Sequence, residues 1–152
     1  MTSITDFGAK RQQTGFGVER AMSREKGTER LGVLREELGF LEAGGYRHPE
    51  RAQWRAQFVF EDSPTCLNFG DVMRTLPCEE CPLFIYVPEE AKHKKVPCRY
   101  IPLNARRETL DFLYRIATSE EIEATVANWL RTEIERLGGS QRKEASRTAG
   151  AS

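Results

Sequence analysis

Apolar residues recur at helical spacing in the N-terminal part of the chain. Within "TERLGVLREELGFLEAGG" leucines stand at positions 31, 34, 38 and 41, which share one face of a helix. Thr28 precedes them as a predicted N-cap, because its hydroxyl can accept a hydrogen bond from a free backbone N–H of the first turn. Gly44 and Gly45 follow them and predict the left-handed turn that ends such a helix.

The C-terminal third shows the same spacing twice. A short helix is predicted over "RRETLDFLYRIA", and a longer one starts at Thr118 or Ser119 and ends at Gly138 and Gly139. Both are amphipathic, so one face of each is expected to pack in the core. The residues on these faces are Leu110, Leu113, Tyr114 and Ala117 in the first helix, and Ile122, Val126, Trp129, Leu130, Ile134 and Leu137 in the second.

Between these helices the pattern becomes irregular. Residues 64–102 contain six of the seven prolines, and each proline disfavours helix in the residue before it. Aromatic and β-branched residues predict short strands at 57–61, 83–87 and 98–103. The expected fold class is therefore α+β: a small domain with an N-terminal helix, a short-stranded, proline-rich metal-binding centre with four cysteines, and two C-terminal helices.

The length and the uneven polarity predict how the chain is organised. Its 152 residues suffice for one domain with its own core. The weakly periodic, polar residues 1–27 predict a disordered or partly helical arm. Residues 28–139 form the expected single domain, and residues 140–152 an expected disordered basic tail.

Charge and hydropathy exclude several classes of function. Lys and Arg together number 23, as do Asp and Glu, so no overall basic field indicates specific nucleic-acid binding. No apolar run approaches the roughly 20 residues that span a bilayer, and the start lacks the apolar stretch of a secretory signal. The sequence therefore predicts a cytoplasmic protein that binds no membrane, in a compartment where cysteines stay reduced.

All four cysteines fall in the proline-rich segment. They are Cys66, Cys78, Cys81 and Cys98, with the spacing C-x11-C-x2-C-x16-C. A Cys-x-x-Cys pair directs two thiolates at one ion from a single turn, and the other two cysteines can complete a tetrahedron. We therefore expect all four to bind one Zn²⁺, with their sulfur atoms within about 4 Å of each other.

Two alternatives to this site remain open at the level of sequence. An iron–sulfur cluster is the alternative cofactor, because it too is held by four cysteines at variable spacing. His93 is an alternative ligand, since it could replace Cys66 in the pattern C-x2-C-x11-H-x4-C. In either case nearby basic residues are expected to offset the charge of the thiolates. These residues are Arg74, Lys92, Lys94, Lys95 and Arg99.

A further pattern combines "HPE" with the later "PCEEC". It resembles the H-x-E and P-C-x-x-C motifs of zinc-dependent nucleoside and nucleobase deaminases. The resemblance implies a zinc ion held by His48, Cys78 and Cys81, with Glu50 moving protons for the attacking water. It also implies a helix directly after P-C-x-x-C, where the sequence predicts a strand, and it leaves the other two cysteines without a role.

These features predict a non-enzymatic zinc-binding module with a structural four-cysteine site that acts through a protein partner. The first alternative is an iron–sulfur protein with a role in electron transfer or redox sensing. The second is a zinc-dependent, deaminase-like enzyme. No G-x-S-x-G, H-E-x-x-H or phosphate-binding glycine loop occurs, which favours binding over catalysis.

Overall fold

The computed structural model describes residues 25–47 and 57–150. Regular secondary structure in these residues consists of α-helices and short 3₁₀ turns. Helix α1 covers residues 25–42, α2 covers Leu110–Ile116 and α3 covers Ser119–Ala149. The 3₁₀ turns are Gly45–Arg47, Cys78–Glu80, Phe84–Tyr86, Glu89–Ala91 and Pro97–Tyr100.

The predicted α+β class is wrong, because none of the described residues forms a β-strand. The expected strands at 57–61, 83–87 and 98–103 are turns and irregular segments. Their backbone groups form local hydrogen bonds instead. The N–H of Asp62 donates to the carbonyl of Phe58 at 3.0 Å, and the N–H of Val87 to the carbonyl of Phe84 at 3.0 Å. Such turns satisfy these backbone groups without a neighbouring strand.

Helix α1 carries the predicted leucine stripe into the core. Leu31, Leu34 and Leu41 are buried, and Leu38 packs partly buried against the core. Gly44 follows the helix with a φ of 76°, which confirms the predicted left-handed turn. Thr28 is not the N-cap, since residues 25–27 are already helical. The rest of the predicted arm, residues 1–24, lies outside the described residues.

Helix α3 begins as predicted and runs further than predicted. Thr118 and Glu121 form a capping box at its start. Its apolar face is confirmed: Ile122, Val126, Trp129, Leu130 and Leu137 are buried, and Ile134 is partly buried. The glycine pair at 138–139 does not end the helix, which continues to Ala149. Residues 140–149, assigned by sequence to a disordered tail, are therefore the last part of α3 in the structure.

One apolar cluster joins the helices to the irregular middle of the chain. Trp129 of α3 packs edge-on against Phe60 and Tyr86, with ring centroids 6.0 Å and 5.0 Å away. Leu34 of α1 and Leu130 of α3 are both 0% exposed in the same cluster. The segment that carries the cysteines is thus anchored on the helices. None of the helices in the described part of the chain is long and apolar enough to cross a membrane.

Candidate metal centre

Every cysteine begins a tight turn of the backbone. In each case the cysteine carbonyl accepts a hydrogen bond from the N–H three residues later. The donors are Phe69 to Cys66 at 3.0 Å, Cys81 to Cys78 at 3.0 Å, Phe84 to Cys81 at 3.0 Å and Ile101 to Cys98 at 3.4 Å. Pro82 stands second in the turn that starts at Cys81, a position that its fixed φ favours. The prolines of this segment therefore shape turns rather than strands.

These turns bring all four cysteines to the wall of one pocket. Much of the remaining wall is apolar and includes Phe60, Leu83, Phe84 and Val87. All four thiols are free, so no disulfide competes with a shared role. The cavity between them has a volume of about 30 Å³, more than the roughly 10–15 Å³ that one water molecule needs. The four residues singled out by their spacing thus do lie together.

The cysteines do not stand as a preformed metal-binding group in the structure. Among residues 25–47 and 57–150, no group of three or more Cys, His, Asp or Glu side chains is arranged to hold one metal ion. Tetrahedral Zn²⁺ with bonds of about 2.3 Å needs its sulfur ligands within about 4 Å of each other. Metal binding by these cysteines stays a prediction.

The surroundings of the thiols shift their pKa values in two opposite directions. Burial raises the pKa of Cys66, Cys81 and Cys98, and nearby negative charge, including that of the other cysteines, adds to this effect. Backbone N–H groups work against it: a hydrogen bond from Asn68 lowers the pKa of Cys66, and one from Leu83 lowers the pKa of Cys81. Such donors stabilise the thiolate, the form that binds metal.

Arg74 contacts the cysteine group directly. Its Nη2 lies 3.6 Å from Sγ of Cys78, so the guanidinium can donate to the sulfur and offset its charge. Arg99 was expected in the same role, but it pairs with Glu61, with Nη2 at 3.1 Å from Oε2. The three lysines within residues 92–95 line an adjoining groove and not the cysteine pocket itself. Of the basic residues expected near the site, only Arg74 has a hydrogen bond to a cysteine sulfur among the described contacts.

The structure distinguishes between the two alternative ligand sets, one with Cys66 and one with His93. Cys66 lines the cysteine pocket, whereas His93 does not. His93 is exposed and lines the same outer groove as the neighbouring lysines. The arrangement therefore favours four cysteines over three cysteines with a histidine.

The deaminase resemblance depends partly on residues that the structure does not describe. His48 and Glu50 lie outside the described residues. Cys78 and Cys81 are described, and the segment after them forms only the short 3₁₀ turn Phe84–Tyr86. The helix that the resemblance implies at this point is not present.

The segment that leads to Cys66 is held by a buried carboxylate. It was not predicted from the sequence. Glu37 of α1 is 0% exposed. Its Oε2 accepts hydrogen bonds from Ser63 Oγ at 2.5 Å and Thr65 Oγ1 at 2.7 Å, and its Oε1 accepts one from the Tyr46 hydroxyl. The helical periodicity did indicate that this side chain is buried, because position 37 lies on the same face of α1 as the leucine stripe.

Comparison with known proteins adds no further assignment. No protein-family model, no curated protein and no solved structure matches the chain. The function must therefore be inferred from the arrangement of the side chains.

Proposed function

We propose that the protein is an iron–sulfur protein in which Cys66, Cys78, Cys81 and Cys98 hold one cluster. The observation that carries the proposal is the placement of the cysteines. All four line one pocket whose remaining wall is largely apolar. A four-iron cluster has one iron for each cysteine, so its ligands need not converge on a single atom.

The surroundings of the sulfurs support a cluster site. Backbone N–H groups of Asn68 and Leu83 are directed at the sulfurs of Cys66 and Cys81. Hydrogen bonds to ligand sulfurs and an apolar, partly closed environment are the means by which proteins tune the reduction potential of such clusters. Arg74 adds a positive charge at Cys78.

The role that fits this chemistry is one-electron transfer or redox sensing through a partner protein. A cluster accepts one electron from a donor and passes one electron to an acceptor, and no atom is transferred. We place the protein in the cytoplasm, because free thiols persist in a reducing compartment. The proposal assigns the cluster a role in carrying electrons or sensing redox state, and it assigns no catalytic residue.

A structural zinc site is the second candidate, favoured by the local structure of residues 57–109. This segment has no α-helix or strand of its own in the described part of the chain, so a metal would stabilise it directly. Zn²⁺ has no redox chemistry, so the apolar wall of the pocket and the N–H donors to its sulfurs would have no reduction potential to tune. For that reason we rank the structural zinc site as less well supported than the iron–sulfur cluster.

The test is reconstitution of the full chain with iron and sulfide under anaerobic conditions, followed by visible absorption spectroscopy. The wild-type protein is expected to gain the broad absorption of a thiolate-bound cluster. Cys66→Ser and Cys98→Ser should each lose most of it, because each removes one ligand of the set. The control His93→Ala should keep it. A wild-type chain that gains no absorption, or cysteine variants that keep all of it, would contradict the proposal.

A further inference from the structure

The loop between the first two cysteines is held in one conformation by its own side chains. At its base, the Asn68 amide accepts from the N–H of Leu76 and donates to the carbonyl of Leu76, both at 2.9 Å. At its tip, the Asp71 carboxylate accepts from the N–H of Met73 at 3.0 Å and from the N–H of Thr75 at 2.9 Å. Compact loops of this kind, closed by local hydrogen bonds, are frequently functional.

This loop presents apolar side chains to solvent. Val72 is 94% exposed and Met73 is 81% exposed, although both are apolar and stand at the tip of a stapled loop. Leu67, Phe69 and Leu76 on the same loop are also exposed, at 39%, 46% and 47%. Exposed apolar side chains grouped on one rigid element are typical of interaction sites. A loop already fixed in shape also loses little conformational entropy when it binds.

A cationic groove lies directly beside the apolar tip. Its cavity of about 300 Å³ is lined by Met73 and Leu76 from the loop, together with Arg74 and basic side chains of residues 92–95. Lys94 and Lys95 also line a second cavity of about 450 Å³, together with Arg74 and Val72. Each cavity has one acidic wall residue, Glu79 in the first and Glu61 in the second. Positive charge therefore predominates around the loop.

We propose that the loop 67–76 and the basic segment 92–95 form a docking surface for a protein partner that carries carboxylates beside apolar side chains. The cations select acidic groups, and Val72 and Met73 supply apolar contact at the centre. The two most exposed residues of the tip are aliphatic, whereas surfaces for single-stranded nucleic acid stack bases on aromatic rings. This combination favours a protein partner over a nucleic acid.

The docking surface adjoins the cysteine pocket. Arg74, Cys78 and Pro97 line both the cysteine pocket and the cationic groove, so a partner in the groove lies next to the proposed cluster. The inference goes beyond the proposed function, because it specifies the chemistry of the partner. In the structure the loop is held by the side-chain hydrogen bonds of Asn68 and Asp71, which involve none of the cysteines. The docking proposal and the cluster proposal can therefore fail separately.

The experiment measures fluorescence anisotropy of a short labelled peptide in which Asp and Glu alternate with Leu and Phe, titrated with the full chain. We expect saturable binding that weakens as salt is raised. Met73→Asp should weaken peptide binding at least about fivefold, because it removes the apolar contact. Lys94→Glu should weaken binding by at least about the same factor, because it inverts a charge in the groove. A peptide of the same charge without Leu and Phe should bind at least about fivefold more weakly.

Matched controls change the same types of residue elsewhere. Ile116→Asp alters an apolar side chain of α2 that is 66% exposed, and Lys143→Glu inverts an exposed charge on α3. Both should bind the peptide as the wild type does. Four outcomes would overturn the proposal: no saturable binding, equal loss in the controls, tighter binding of a labelled oligothymidylate than of the peptide, or self-association of the wild type that Met73→Asp abolishes.

Discussion

Replacement of Glu37 by glutamine tests whether the buried carboxylate holds the chain that leads to the cysteine pocket. Three hydroxyl groups, those of Tyr46, Ser63 and Thr65, donate to its two oxygens. Tyr46 in turn accepts from the N–H of Phe60 at 2.9 Å. The carboxylate therefore fixes the position of the segment 60–65 relative to α1.

The magnitude follows from the number of hydrogen bonds that an amide must break. If its NH₂ group faces Tyr46, one donating hydroxyl loses its acceptor. If the NH₂ group faces Ser63 and Thr65, two hydroxyls do. The amide takes the orientation that breaks only one of these hydrogen bonds. A hydrogen bond to a charged group contributes about 1.5–3 kcal/mol, so Glu37→Gln is expected to lower the free energy of unfolding by about 1.5–3 kcal/mol. That is a large share of the roughly 5–15 kcal/mol by which small proteins are stable.

The assay is equilibrium unfolding in urea, followed by circular dichroism. Glu36→Gln is the matched control, because it removes the charge of an exposed neighbour on the same helix. It should change the free energy of unfolding by no more than about 0.5 kcal/mol. A Glu37→Gln variant as stable as the wild type, or a control that loses as much, would refute this account of the buried carboxylate.

Three further predictions concern other parts of the molecule. Leu130→Ala should cost about 2–5 kcal/mol in urea unfolding, because it empties a fully buried site, whereas loss of less than about 1 kcal/mol would contradict the packing described. Thr118→Ala should cost about 1 kcal/mol, since it removes the side-chain cap of α3; an unchanged midpoint would argue against the capping box. Arg74→Gln should shift the cluster's reduction potential to a more negative value in a redox titration, because a positive charge 3.6 Å from the Cys78 sulfur is lost; a shift to a more positive value would contradict this role.

The helices could be predicted from the sequence because each has one buried face and one solvated face. Leu34 and Leu130 lie on such faces and are fully buried. The end of α3 could not be predicted from its glycine pair. Two glycines cost a helix about 2 kcal/mol together, and the strong helix formers that follow in "SQRKEAS" offset part of that.

The strand predictions were wrong because composition does not show whether a neighbouring strand is present to form hydrogen bonds with the segment. "LFIYV" has the residues of a strand, but the N–H groups of Tyr86 and Val87 bond three residues back, at 3.1 Å and 3.0 Å. Phe60 adopts a φ of 69°, far from the negative φ of a regular strand. Both features depend on how the segment packs on the helices, whose residues are distant from it in the sequence.

The spacing of the cysteines predicted which side chains would meet but not how closely. Cys66 and Cys98 joined the Cys-x-x-Cys pair around one pocket, as expected for a shared site. The arrangement of the turns that carry them depends on Pro82 and on the hydrogen bonds of Glu37. Spacing along the chain does not encode that arrangement, so zinc and a cluster could not be separated from the sequence.

The measurement that tests the central claim most directly is native mass spectrometry of the full chain, purified and sprayed under anaerobic conditions. The account predicts a mass increase equal to four iron and four sulfide atoms per chain, and its loss from the Cys66→Ser variant. A chain that carries a single zinc ion would contradict the cluster and favour a structural zinc site. A chain with the mass of the bare polypeptide, even after reconstitution with iron and sulfide, would contradict metal binding by the four cysteines altogether.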